Sequence, residues 1–155
     1  MNGNISINQL SFSSDDKNPH DVLSGKGNGA KNHEGNRHFR ALVESAKELY
    51  ISCPESRKIQ ISKLVYEAIK SLSPQGRYLK KDEKGELYEL SYKEALTKTS
   101  QALREGQPKH KKSGCFKSIQ DEVTFYAKLN EVKVSLSLFI FLINPFLRTD
   151  IGYVI

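Results

Sequence analysis

Between residues 37 and 105 the apolar residues recur at three- and four-residue steps in three blocks, each separated from the next by proline or glycine. The first block, Phe39, Leu42, Val43, Ala46, Leu49 and Tyr50, predicts a helix from Arg37 to Tyr50, with Arg40, Glu44, Lys47 and Glu48 on the polar side. Asn36 offers the side-chain acceptor that an N-terminus needs. Cys53-Pro54 interrupts the pattern, because proline disfavours helix at the preceding residue, and Ser56 is placed to cap the next helix. The second block, Ile61, Leu64, Val65, Ala68, Ile69 and Leu72, then predicts a helix ended by Ser73-Pro74-Gln75-Gly76. Two amphipathic helices joined by so short a loop pack as a hairpin.

A period of two takes over next. Arg77–Lys81 and Glu86–Leu90 flank Asp82-Glu83-Lys84-Gly85, predicting a β-hairpin with Gly85 at a positive φ. Ser91-Tyr92-Lys93-Glu94 has the spacing of a capping box. The third block, Tyr92, Ala95, Leu96, Thr99, Ala102 and Leu103, makes a helix to about Glu105, ended by Gly106 and Pro108. The expected fold is α+β and mainly helical, in the order loop, helix, helix, hairpin, helix. By analogy alone it is winged-helix-like.

The flanks lack this regularity. Residues 1–18, rich in Asn and Ser, are expected to be a disordered leader, with the folded domain over 19–106. Residues 107–130 read as a basic linker with room for a short helix, and 131–155 as a hydrophobic tail. Within that tail Val134–Ile143 is apolar but short of the ~20 residues of a membrane-spanning helix. An added strand, a membrane-contacting end and a spurious terminus are all open for it.

Charge sharpens this picture. The 155 residues carry 24 Lys and Arg against 18 Asp and Glu, and 19 against 12 fall between residues 19 and 112. A local basic excess suits a polyanion. Lys109-His110-Lys111-Lys112 has the form of a nuclear import signal or a nucleic-acid arm, and equally of a solvated linker. Cys53 and Cys115 are too isolated for a disulfide framework or a zinc ribbon, which points to a reducing compartment. With no early basic and apolar run, no signal peptide is expected, leaving nucleus or cytoplasm.

The stretch Ser24-Gly25-Lys26-Gly27-Asn28-Gly29 brings three glycines around a lysine, a loop able to present N–H groups and charge to a phosphate. It lacks the spacing of a P-loop and the preceding strand and following acid of a dinucleotide fingerprint. His33 and His38, five apart across a helix start, share no face for a metal, and His33 is expected to bond the loop backbone. Cys53 beside Pro54 carries no sign of an activated thiol. No catalytic constellation and no cofactor are expected.

Nucleic-acid binding is the leading expectation, with DNA or RNA as partner. Lys26, Lys31, Arg37, Arg40, Arg77, Lys80, Lys81, Lys98 and Arg104 are the candidate phosphate contacts, and Ser100 and Gln101 the candidate base contacts. The competing class is a protein-interaction module in which Lys93, Gln101 and Arg104 meet an acidic partner.

From Asp21 to Glu105 the chain resembles domain-of-unknown-function family 6824, abundant in diatoms and related algae. The likeness rests on Asp21-Val22-Leu23 with Gly25-Lys26-Gly27, on His33-Glu34-Gly35-Asn36 with Phe39-Arg40, on Gly76-Arg77-Tyr78-Leu79-Lys80, and on Lys98-Thr99-Ser100-Gln101-Ala102-Leu103-Arg104-Glu105. The chain departs from the family pattern at Lys26, where the family resembles Gly-Arg-Gly, and at Tyr78 and Leu87, where Phe and Trp are usual. Lysine replaces a bidentate fork with a point charge. The resemblance implies a small regulatory or binding domain of unassigned activity, and it supplies no catalytic residues.

Overall fold

The computed structural model describes residues 11–13, 15–106 and 118–144. The elements run β1 (Ser11–Phe12), β2 (Val22–Ser24), α1 (Asn28–Asn32), α2 (Glu34–Ser52), α3 (Glu55–Lys70), β3 (Tyr78–Lys81), β4 (Leu87–Glu89), α4 (Tyr92–Arg104) and α5 (Ile119–Ile143). The fold is a mainly helical α+β arrangement built on one four-stranded sheet of order β1-β4-β3-β2. β3 pairs antiparallel with β4, β4 antiparallel with β1, and β2 parallel with β3. The parallel pair needs a long crossover, and α1, α2 and α3 provide it.

Strand alternation sends Val22 and Tyr78 into the main core, while Leu23 and Leu79 join Leu87 in a small cluster with Phe12 and Ala30. In the main core α2, α3 and α4 bring together Leu42, Leu49, Ile61, Val65, Ile69 and Leu103, all buried. Phe39 meets Tyr78 edge-on and Tyr66 stacks on it at 5.5 Å. Thr99 Oγ1 lies 3.5 Å from the Tyr78 hydroxyl, giving that buried hydroxyl a polar neighbour.

The three predicted helices and the hairpin are present, with altered edges. α2 begins at Glu34 rather than Arg37, and its cap is His33, whose Nδ1 accepts the Gly35 N–H at 3.2 Å. Asn36 sits inside the first turn with another task. α3 starts directly after Pro54, so Ser56 lies within its first turn and does not cap it. Gly85 has φ 86° in the hairpin turn, and the Ser91–Glu94 capping box opens α4 as expected. Tyr92, expected to face inward, is 48% exposed with its ring edge against Tyr66.

The larger differences lie in the flanks and the glycine loop. Ser11–Phe12 within the expected leader pairs with β4, and the loop contains the short helix α1. Residues 119–143, expected to divide at 130 between linker and tail, form one helix opened by a Ser118–Asp121 capping box. Phe125, Leu129 and Leu136 of α5 are buried against α2 and α3, and Arg57 of α3 reaches Glu122 at 2.8 Å. The Lys109–Lys112 cluster lies outside the described residues. Replacing Leu129 by Ala should cost about 2–5 kcal/mol in a urea melt of the full chain, the range for truncating a buried leucine. A cost under about 0.5 kcal/mol, the level of an ordinary surface substitution, would show α5 to be an appendage.

Candidate nucleic-acid interface

Much of the sequence motif set holds the fold together. Asp21 is fully buried, and the Arg77 guanidinium grips its carboxylate with Nε at 3.1 Å and Nη2 at 2.7 Å. The same carboxylate accepts the backbone N–H groups of Arg77 at 3.0 Å and Asn18 at 2.8 Å. These bonds raise the Arg77 pKa still further, so its charge is permanently committed. Asn36 clamps β2 from both sides, accepting the Leu23 N–H at 2.6 Å and donating to the Leu23 carbonyl at 2.9 Å. A Cβ on Gly35 would collide with the Asp21 carbonyl oxygen, and one on Gly76 would come within 2.8 Å of the His20 carbonyl oxygen. Asp21, Gly35, Asn36, Gly76 and Arg77 thus form one joint between β2, α2 and the entry to β3.

Residues left over from this joint surround a groove. It has a volume of about 400 Å³ and is lined by Ser24, Lys80, Leu90, Lys93, Glu94, Thr97, Lys98 and Gln101. β2 and β3 supply Ser24 and Lys80, which are register partners, and α4 supplies the opposite wall from one helical face. The Ser24 hydroxyl is buried and has no hydrogen-bond partner among the described residues. Lys98 holds its Nζ over Phe39, 5.8 Å from the ring centre, and burial keeps its ammonium below the ordinary lysine range against the pull of Glu105. Glu94, the one acid in the lining, turns its carboxylate to the Ser91 N–H at 2.9 Å and hydroxyl at 2.7 Å. These two bonds, then the nearby Lys80 charge, lower its pKa.

The sequence-predicted residues divide accordingly. Lys80, Lys98 and Gln101 meet in the groove, and Lys26 lies exposed two residues past Ser24, within ~8 Å of it by chain geometry. Lys26 is flanked by Gly25 at φ 152° and Gly27 at φ 155°, conformations that side-chain-bearing residues rarely adopt. Lys93, expected only as a protein contact, joins the groove. Its spacing from Thr97 and Gln101 on one helix face is the signal that placed it.

Other candidates do not converge there. Arg77 is bound to Asp21, and Lys81, next to Lys80 on the strand, takes the opposite face of the sheet. Arg40 donates to the Lys31 carbonyl at 2.9 Å, closing the end of α1, and Arg37 is exposed on the first turn of α2. Ser100 faces α3, with its hydroxyl 2.8 Å from that of Ser62, and so is withdrawn from base contact. Arg104 Nε donates to the Ser100 carbonyl at 3.2 Å, and its charge acts on Tyr50, away from the groove. Cys53 is buried with its thiol pushed up to about 11 by desolvation. No group of three metal-ligating side chains occurs among the described residues, and none of their helices is long and apolar enough to cross a membrane.

The family model described as Domain of unknown function (DUF6824) matches residues 21–105. The chain belongs to the DUF6824 family. No curated protein and no solved structure matches it. The DUF6824 segment begins at Asp21 of the joint and ends at Glu105, the C-cap of α4, so β1 and α5 lie outside the matched residues. It contains both the joint and every residue of the groove.

Proposed function

We propose that this DUF6824 domain is a small nucleic-acid-binding module, regulatory in role and acting in the nucleus, that holds phosphates in the groove between β3 and α4. The observation that carries the proposal is the convergence of Lys80, Lys93 and Lys98 with Gln101 around the unpartnered Ser24 hydroxyl, at the root of the glycine-lysine loop. Three ammonium groups supply charge, while the exposed Gln101 amide supplies directional hydrogen bonds. An arriving phosphate also relieves Lys98, whose charged form the free protein disfavours. The winged-helix analogy is not required: both strands of the hairpin are paired on their outer edges, so it is no free wing.

The test is a salt titration of the full chain with labelled DNA and RNA. Binding should weaken linearly in log–log form with a slope of about −2 to −3, as release of counterions from three phosphate contacts requires. Absence of binding at low salt, or binding indifferent to salt, would overturn the proposal. A protein-interaction module is the second reading, favoured by the apolar Val134, Leu138 and Leu142, each at least 59% exposed on α5. Association through that surface would survive high salt.

A further inference from the structure

Sheet register aligns four side chains that the fold does not use. Ser24 is the partner of Lys80, Lys80 of Tyr88, and Tyr88 of Ser11. Because paired residues share a face, these four form a row straight across β2, β3, β4 and β1. At normal strand spacing the row is ~14 Å long. Two residues earlier on the same face, Val22 and Tyr78 are in the core, so the row marks where that face emerges from under the helices. Ser11 and Lys80 are exposed, and Ser24 and Tyr88 are half-buried.

Two grooves meet at Lys80. One is the α4 groove, and the other, of about 580 Å³, runs along Ser11, Lys80 and Tyr88 toward Lys81, Asp82 and Glu83. Tyr66, Tyr78 and Tyr92 pack against one another, whereas Tyr88 has neither a ring nor a cation against its face among the described residues. A tyrosine ring on a track that carries Lys80 and leads to Lys93 and Lys98 is the arrangement on which an unpaired base stacks. Asp82, whose Oδ1 accepts the Lys84 and Glu86 N–H groups at 2.9 and 2.8 Å, keeps its negative charge and bounds the track on the hairpin side. Glu83, exposed at the hairpin tip, marks where the track stops.

We propose that this row seats a single-stranded nucleic acid, with one base stacked on Tyr88 and the flanking phosphates on Lys80, Lys93 and Lys98. The inference rests on the nucleic-acid reading and narrows it. A duplex keeps its base faces inside the stack, away from Tyr88, and can be read only by a projecting helix or ribbon that enters its groove. Here Lys98 lies half sunk beside Phe39, and α4 forms a wall of the groove instead of projecting from it.

Fluorescence anisotropy of the full chain against labelled oligo(dT), oligo(U) and a duplex of equal length tests this, with Tyr88→Ala, Tyr88→Leu and Tyr88→Phe alongside. The tighter single strand should bind about tenfold or more above the duplex, and Tyr88→Ala should lose about fivefold or more, the scale of one base–aromatic stack. Tyr88→Phe should retain the affinity. Tyr88→Leu, which keeps apolar bulk without a ring, should lose it too, and it decides the matter if Tyr88→Ala alters the melting curve. Equal or tighter duplex binding, or full single-strand affinity in Tyr88→Leu, overturns the single-strand seat and leaves the broader reading standing. Failure of every probe at low salt overturns both.

Discussion

Asp21→Ala is expected to remove about 3–5 kcal/mol of stability, the range for breaking a buried ion pair by deleting one partner. It strips four hydrogen bonds at once, two from the Arg77 side chain and one each from the Arg77 and Asn18 backbone N–H groups. Arg77→Ala should cost as much, because it leaves a fully buried carboxylate without its cation. The double variant should cost clearly less than the two singles added, since both act on one contact. Gly35→Ala attacks the same joint sterically, pushing α2 off Asp21 and pulling Asn36 from Leu23, at about 1–3 kcal/mol. With total stability of about 5–15 kcal/mol for a typical domain, any of these leaves the chain marginal. A urea melt showing Asp21→Ala within about 0.5 kcal/mol of the parent, as for an inert surface site, would mean that the clasp does not organise the fold.

Charge reversal in the groove should have the opposite signature. Lys80→Glu together with Lys93→Glu should leave the melting curve close to that of the parent, because both side chains line the groove from exposed positions. Affinity for nucleic acid should fall by about two decades at moderate salt, and the salt slope should shrink by about one per lysine. Arg104→Glu serves as the control. Its side chain lies over the far end of α4, so reversal there should change affinity only weakly, through distance and screening. If Arg104→Glu is as damaging as the double variant, binding depends on overall charge and not on the groove.

The helices were legible in the chain because their instructions are local. A 3.6-residue apolar period needs no distant partner, and neither does the Ser91–Glu94 box. Strands β1 and β2 were not, since two or three residues gain strand character only from pairing: Val22 with Tyr78, Phe12 with Leu87. Helix α5 was obscured by its apolar second half, which lacks a polar face, although Ser118 and Asp121 carried a start signal of the kind recognised at Ser91. At the candidate site, Lys80, Lys98, Gln101 and Lys26 stood out by residue type and motif. Arg77 looked the same from sequence. Only the fold reveals that Asp21, 56 residues away, has claimed it, and that Ser100 faces Ser62 instead of solvent.

The most direct measurement is a two-dimensional amide NMR titration of the full chain with a single-stranded oligonucleotide. Shifts concentrated on Ser24, Lys26, Lys80, Tyr88, Lys98 and Gln101 are predicted, with α5 and the Arg104 end of α4 unmoved. Shifts spread over all basic residues in proportion to their exposure, or confined to α5, would contradict a built nucleic-acid groove between β3 and α4.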